Sequence, residues 1–364
     1  MKAVAAWSVR FWPIVVPVVG IVLLVAVWNV PFGPVLITVV SIVLAGTVLA
    51  AVQHAEVVAH KVGEPFGSLV LAVAVTVIEV ALIVTLMTSG KDAGTLARDT
   101  VFSAVMITMN GIVGLSLLLG ASRRGTTSFN AEGTGAALAT VTALATLTLV
   151  LPTFTETAGP QFSPGQLVFA AIASVALYAM FVFTQTVAHR DFFLPVKSNG
   201  RPHDEDSHAE APSTRTAVVS VVLLLVALVA VVGLSKLESP SIERGIAAIG
   251  FPQSFVGVVI ALLVLLPEGI SAAKAAARNR VQTSLNLALG SAMASIGLTI
   301  PSIAIASIWL TGPLLLGLGA SQIVLLILTV IVSVLTVVPG RATRLQGGVH
   351  LVLFAAFIFL AIVP

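Results

Sequence analysis

The chain has 364 residues, of which 58% are hydrophobic and only 9% charged, with a formal net charge of +3 and no cysteine. A soluble domain carries about a quarter of its residues as charges, so this composition excludes a water-soluble surface and makes the bilayer the solvent for most of the chain. Disulfides, thiolate metal sites and thiol catalysis are excluded as well, and the scattered basic residues form no block suited to nucleic acid.

A bilayer core takes about 20 apolar residues as helix. On that measure the sequence predicts eleven spans, at 11–28, 31–52, 66–88, 100–121, 131–152, 164–187, 214–235, 251–273, 283–309, 313–339 and 346–363. The first follows Lys2 and Arg10 in the manner of a signal peptide. No small-residue cleavage site precedes Trp28-Asn29-Val30-Pro31, so it reads as a span. With loops alternating between sides, Lys91, Arg98, Lys236 and Arg244 fall on one side and the other 14 of the 18 basic residues on the other. The positive-inside rule then expects the N-terminus in the cytoplasm and the C-terminus outside. Absence of targeting segments, together with the resemblance given below, leads to the expectation of a bacterial inner membrane.

The longest connection, 188–213, is acidic and contains His203-Asp204-Glu205-Asp206-Ser207-His208. It reads as a solvated cytoplasmic linker, with weak sensing of divalent cations as the alternative. The expected organisation is an extra first helix (1–30), a five-helix half (31–187), the linker and a second five-helix half (214–364). Five is odd, so the halves enter the membrane from opposite sides.

Each half carries one glutamate deep in its second span. Glu79 and Glu268 each lie thirteen residues after a phenylalanine, Phe66 and Phe255, or about 20 Å along a helix. In each half the next span holds a polar, Gly-containing patch, Asn110-Gly111 and Gly290-Ser291 with Ser295. Matching features in inverted halves are the pattern of secondary transporters with a midplane site. No Lys or Arg falls mid-span to neutralise these carboxylates, and a carboxylate in hydrocarbon costs several kcal/mol. Two neutral states are open to the pair: protonation of both, or one divalent cation, since −1, −1 and +2 sum to zero. Calcium takes six to eight oxygens, and Thr76, Asn110, Ser291 and freed carbonyls at Pro267 and the glycines supplement the carboxylates. The alternative for Thr76, Asn110, Ser291 and Ser295 is helix packing alone. Glu56, His60 and Glu64 step by four along one helix face at the cytoplasmic end of the second span. They read either as a wetted edge or as a vestibule that attracts cations and relays protons.

Residues 63–83, from Gly63-Glu64-Pro65-Phe66-Gly67 to Val77-Ile78-Glu79-Val80-Ala81-Leu82-Ile83, resemble the first repeat of calcium/proton exchangers of the ChaA type. Residues 266–301, with Leu266-Pro267-Glu268-Gly269, Asn286-Leu287-Ala288-Leu289-Gly290-Ser291 and Thr299-Ile300-Pro301, resemble the second. The resemblance, to a branch of the calcium/cation antiporter superfamily, implies an all-α polytopic fold with one extra helix and two inverted five-helix repeats. It implies cation efflux driven by proton entry, Glu79 and Glu268 as the repeat glutamates, and Asn110-Gly111 and Gly290-Ser291 as the polar pairs. The wider superfamily often has Gly-Asn before each glutamate, where this chain has Val75-Thr76 and Val264-Leu265. Those changes thin the calcium ligands and leave the ion open among calcium, sodium and potassium, with a sodium-coupled calcium exchanger as a further alternative.

An enzyme is not expected. His-Glu-x-x-His is missing, helical aspartate pairs are missing, and no lysine lies within a span to hold retinal. Paired sites in inverted halves also favour alternating access over a passive channel. No cofactor is implied, because calcium and protons are cargo, and the lipid bilayer is the surrounding partner. Oligomeric state is left open.

Overall fold

The computed structural model describes residues 2–63, 66–89, 93–122, 125–194, 212–310 and 312–364, with the backbone course only for 2–10, 66, 68, 89 and 93. The described residues form eleven helices: α1 (Lys2–Val27), α2 (Pro34–Val62), α3 (Phe66–Ser89), α4 (Leu96–Ala121), α5 (Ala131–Phe154), α6 (Pro164–Ala188), α7 (Thr214–Ala248), α8 (Phe255–Ala277), α9 (Val281–Ala306), α10 (Ala320–Val337) and α11 (Arg344–Ile362). Ten of them are long and apolar enough to cross a bilayer, and α1 adds the apolar stretch Phe11–Val27. The eleven expected helices are therefore present in order among the described residues, ten of them as candidate spans, in an all-α polytopic fold.

Several ends differ from expectation: α1 starts nine residues earlier, α2 runs ten residues further, to Val62, and two later ends differ for reasons the packing shows. The seventh helix does not stop at 235 but runs to Ala248 through Pro240. Proline withdraws one backbone N–H, and neighbouring groups in a membrane protein can re-satisfy the freed carbonyl. The carbonyl freed here is that of Lys236; beyond it Arg244 Nε donates to the Pro240 carbonyl at 2.9 Å and Ser239 Oγ to Glu243 Oε1 at 3.4 Å, so side chains brace the turn after the break. The tenth helix starts at Ala320, because the chain before it runs extended. Leu315 N–H donates to the Gly94 carbonyl, Gly317 N–H to Pro160 and Leu318 N–H to Leu149.

The helices divide into two compact units that cut across the sequence halves. One unit gathers α1, α2, α3 and α7. Within it, α7 packs along α2 and also meets α1 and α3. Pro17 in α1 lacks the N–H that the Pro13 carbonyl would accept. His54 of α2 fills that role, its Nε2 lying 2.9 Å from the Pro13 oxygen. A carbonyl only accepts, so this contact fixes the proton on Nε2.

The other unit holds α4–α6 and α8–α11. Its apolar centre joins Ile107, Ile112 and Leu117 of α4 to Leu265 and Ala272 of α8 and to Leu285 and Ala288 of α9. Small residues let backbones approach without the aid of a hydrophobic effect, which lipid does not supply. A Cβ on Gly257 of α8 would stand 2.7 Å from the Asp99 and Thr100 backbone of α4. A Cβ on Gly347 of α11 would stand 2.7 Å from the Leu118 backbone nitrogen, and one on Gly114 would stand 3.0 Å from the Gly347 carbonyl. This second crossing is thus glycine against glycine. Gly347→Leu has no flexible neighbour to displace and forces the backbones apart, at a cost of about 2 kcal/mol or more. A lowered Tm of the detergent-purified protein measures it, with Gly348→Leu, where a Cβ meets nothing within 4 Å, as the neutral control. A short ribbon, β1 (Thr126–Ser128) against β2 (Arg341–Thr343), pairs antiparallel and ties the α4–α5 turn to the α10–α11 turn.

Candidate ion site

Helices α3 and α8 begin at the two phenylalanines that the sequence singled out, Phe66 and Phe255. Glu79 and Glu268 therefore occupy the same register, thirteen residues into helices of 24 and 23 residues, about 20 Å from each start. Glu79 is 3% exposed and Glu268 partly buried, and neither is without an interaction partner. Thr76, also buried, lies three residues before Glu79 and so on its side of α3.

Within its own unit Glu268 sits on a helix fixed to α4 on either side of it. Gly257 makes the backbone contact described above. A Cβ on Gly269 would be 3.6 Å from Ile112 Cδ1. One turn further, Ser284 Oγ of α9 donates to the Ala272 carbonyl at 2.7 Å and lies 2.6 Å from Ser116 Oγ of α4. Pro267 removes the donor for the Leu263 carbonyl, one turn before Glu268.

The polar pair of the first half lies in a change of winding: α4 is π-helical over Ile107–Ile112. Such turns recur at functional sites because they redirect side chains and loosen backbone hydrogen bonds. Asn110 is fully buried. Its Nδ2 donates to Thr329 Oγ1 of α10 at 2.9 Å, and its Oδ1 lies 3.1 Å from His350 Nδ1 of α11. An amide oxygen only accepts, so the proton of that contact is on Nδ1. His350 Nε2 in turn lies 3.4 Å from Thr336 Oγ1. The Asn110 side chain, expected either as a calcium ligand or as a helix-packing group, holds α4 against α10 and α11 through these bonds. Gly111 lies under the Phe354 ring, which a Cβ would meet at 3.5 Å, whereas a Cβ on Gly290 would meet nothing within 4 Å. Ser291 is partly buried and Ser295 buried, both on α9.

Asn110→Ala leaves Thr329 and His350 with orphaned buried polar groups and costs about 1–3 kcal/mol. Thr329→Val on top of it adds less than its single effect, because both remove one bond. A double-mutant cycle in thermal unfolding reads that coupling.

Glu56 and His60 are exposed near the end of α2, and Glu56 has a partner of its own. Glu64 and the acidic stretch 203–210 lie outside the described residues. Two buried acids were not anticipated. Asp99, 3% exposed at the start of α4, pairs with Arg98 (Nη2 to Oδ1 2.7 Å), and Arg98 Nη1 also donates to the Gly317 carbonyl at 3.2 Å. Glu238, 1% exposed on α7, accepts a hydrogen bond from Ser41 of α2. The signal for Asp99 was the adjacent arginine. For Glu238 it was the serine-rich run Ser235–Ser241, which reads as loop unless α7 continues through Pro240.

The sodium/calcium exchanger protein family matches residues 32–187 and 219–363. A relative described as an ionic transporter, y4hA of Sinorhizobium fredii, is 47% identical over 325 residues, 88% of this chain and 86% of the relative. The sodium-potassium/proton antiporter ChaA of Escherichia coli strain K12 is 36% identical over 312 residues, 86% of this chain and 84% of the relative. Among solved structures, native YfkE superposes with a TM-score of 0.70 at 17% identity, over 97% of this chain and 100% of that one. The H+/Ca2+ exchanger CAX superposes with a TM-score of 0.70 at 16% identity, over 96% and 88%. These two likenesses show the fold. The chain belongs to the sodium/calcium exchanger protein family, as a ChaA-type integral-membrane cation antiporter of the calcium/cation antiporter superfamily.

Proposed function

We propose that the protein exports calcium in exchange for protons by alternating access, with Glu79 and Glu268 as the carriers. The observation that carries this reading is the shared register of the two glutamates, thirteen residues into α3 and into α8. Each glutamate is neutral when protonated, and the two together are neutral when they share one calcium ion. The loaded forms cross between facings, while the empty pair bears two charges and does not. That asymmetry enforces exchange over leak. Thr76, Ser291 and Ser295 supply hydroxyl oxygens, and carbonyls near Gly111, Gly290 and Pro267 supply more. Asn110 acts by positioning the π-helical turn, and Glu56 and His60, exposed near the end of α2, serve a cytoplasmic vestibule.

Sodium or potassium exchange for protons is the second reading, favoured by the 36% identity to ChaA, a sodium-potassium/proton antiporter. Proton coupling is common to that relative and to the H+/Ca2+ exchanger of the same fold. The membrane is a bacterial inner membrane, with the N-terminus in the cytoplasm.

Proteoliposomes with an imposed pH gradient separate these readings. Calcium that collapses the gradient and accumulates in return is the expected result. Collapse by sodium or potassium, with calcium inert, moves the assignment to the second reading. Calcium uptake that ignores the pH gradient but follows a sodium gradient overturns both.

A further inference from the structure

Glu238 is absent from the carrier pair, yet it is among the most deeply buried acids of the described residues. It sits on α7 with 1% of its surface exposed. Its Oε1 accepts the hydroxyl of Ser41, across the α2–α7 contact of one compact unit, and its Oε2 is buried with no hydrogen-bond partner. The titratable groups on the helices packed against α7 are His54, Glu56, His60 and Lys61 on α2 and Glu79 on α3. On α7 itself they are Arg215, Lys236, Glu243 and Arg244. None of these bonds to Glu238; the side chains of Lys2 and Arg10 lie outside the described residues. A carboxyl buried without a countercharge is stable only while something neutralises it, and a single oxygen pair with one serine suits a proton rather than a multiply coordinated metal ion.

Position adds to this. Ser41 is seven residues into α2, and Glu238 lies ten residues before the end of α7. The pair therefore stands at the end of α2 opposite Glu56, which is fifteen residues or about 22 Å further along the helix. Glu56 is itself the twenty-third residue of α2, and Glu238 the twenty-fifth of α7. The first helix of each half thus carries an acid late along its length, Glu56 near one end of the α2–α7 pair and Glu238 near the other, with Glu243 five residues beyond Glu238 on α7.

We propose that Glu238 is a third proton-binding site, which takes up protons from the extracellular side and passes them toward the carriers, with Ser41 holding the empty carboxylate. The step is proton transfer only: water or hydronium gives a proton to the Glu238 carboxylate, and the protonated carboxyl releases it inward. This deepens the proton-coupled reading and rests on it.

The test is cation/proton exchange in right-side-out and inside-out vesicles, with pH varied on one face at a time. A rate limited by one such group changes up to about tenfold per pH unit below or above its titration. E238Q flattens the dependence on extracellular pH to less than about twofold per unit and leaves the cytoplasmic profile as in wild type, and E238D restores the slope. S41A moves the midpoint of the extracellular profile to higher pH, because the carboxylate loses a donor that favours its charged form. If E238Q does not reach the membrane, S41A and E238D carry the test. An extracellular profile unchanged in E238Q, or equal loss on both faces in E238Q and E238D, overturns the proposal and makes Glu238 a packing residue. A wild-type protein with no proton-coupled flux overturns the antiport reading, and this site with it.

Discussion

Glu79→Gln and Glu268→Gln each lower calcium-dependent proton flux by about 100-fold or more, with normal amounts of folded protein in the membrane. Glutamine keeps the size and the polarity of the side chain but cannot ionise. With one carrier changed, a bound calcium ion leaves a net charge of +1 in the hydrocarbon, where an uncompensated charge costs about 3 kcal/mol on insertion scales. That alone is a factor of about 150 in the population able to cross. Glu79→Asp keeps the charge and retracts it by one methylene, so it weakens binding while retaining exchange. Flux measured beside protein yield separates this account from misfolding. Equal residual flux in both Gln variants and wild type would remove the glutamates from the mechanism.

The second large effect is structural. Arg98→Ala destabilises the protein by about 3 kcal/mol, at the low end for breaking a buried ion pair because Arg98 keeps some solvent contact. Asp99 is left at 3% exposure without its cation, and the Gly317 carbonyl loses the Nη1 donor. The cost falls where α4 begins and where the extended segment before α10 crosses it. Adding Asp99→Asn to Arg98→Ala removes the stranded charge and recovers part of the loss. Thermal unfolding in detergent reads both. A double variant less stable than Arg98→Ala would show that Asp99 matters for its hydrogen bonds and not for its charge.

The membrane architecture was legible because hydrocarbon imposes one rule on every span: about 20 apolar residues with their backbone satisfied internally. The register of Glu79 and Glu268 was legible for the same reason, since Phe66 and Phe255 open their helices. Ends were less so. Ser235-Lys236-Leu237-Glu238-Ser239-Pro240 has the composition of a loop, and only packing against α2 turns it into helix with Glu238 inside. The partners of Asn110 were beyond reach: Thr329 and His350 stand 219 and 240 residues away along the chain. No local pattern reports which helices meet, so a polar residue that clamps three helices looks the same as one that awaits an ion. The two compact units show this again, grouping α7 with α1–α3 although the chain order assigns it to the second half.

Two carboxylates that exchange their protons for one calcium ion must release those protons as the ion binds. Counting the protons released per calcium bound, in weakly buffered detergent solution near neutral pH, tests this exchange without any vesicle. Metal binding must displace the protons its ligands carry, so the charge balance predicts a count that approaches about two in wild type as the pH is lowered. It predicts about one in Glu79→Gln and in Glu268→Gln, whose calcium binding is correspondingly weaker. Calcium that binds tightly at every pH and releases no protons would contradict the account, because the ion would then sit on ligands that never held the exchanged protons.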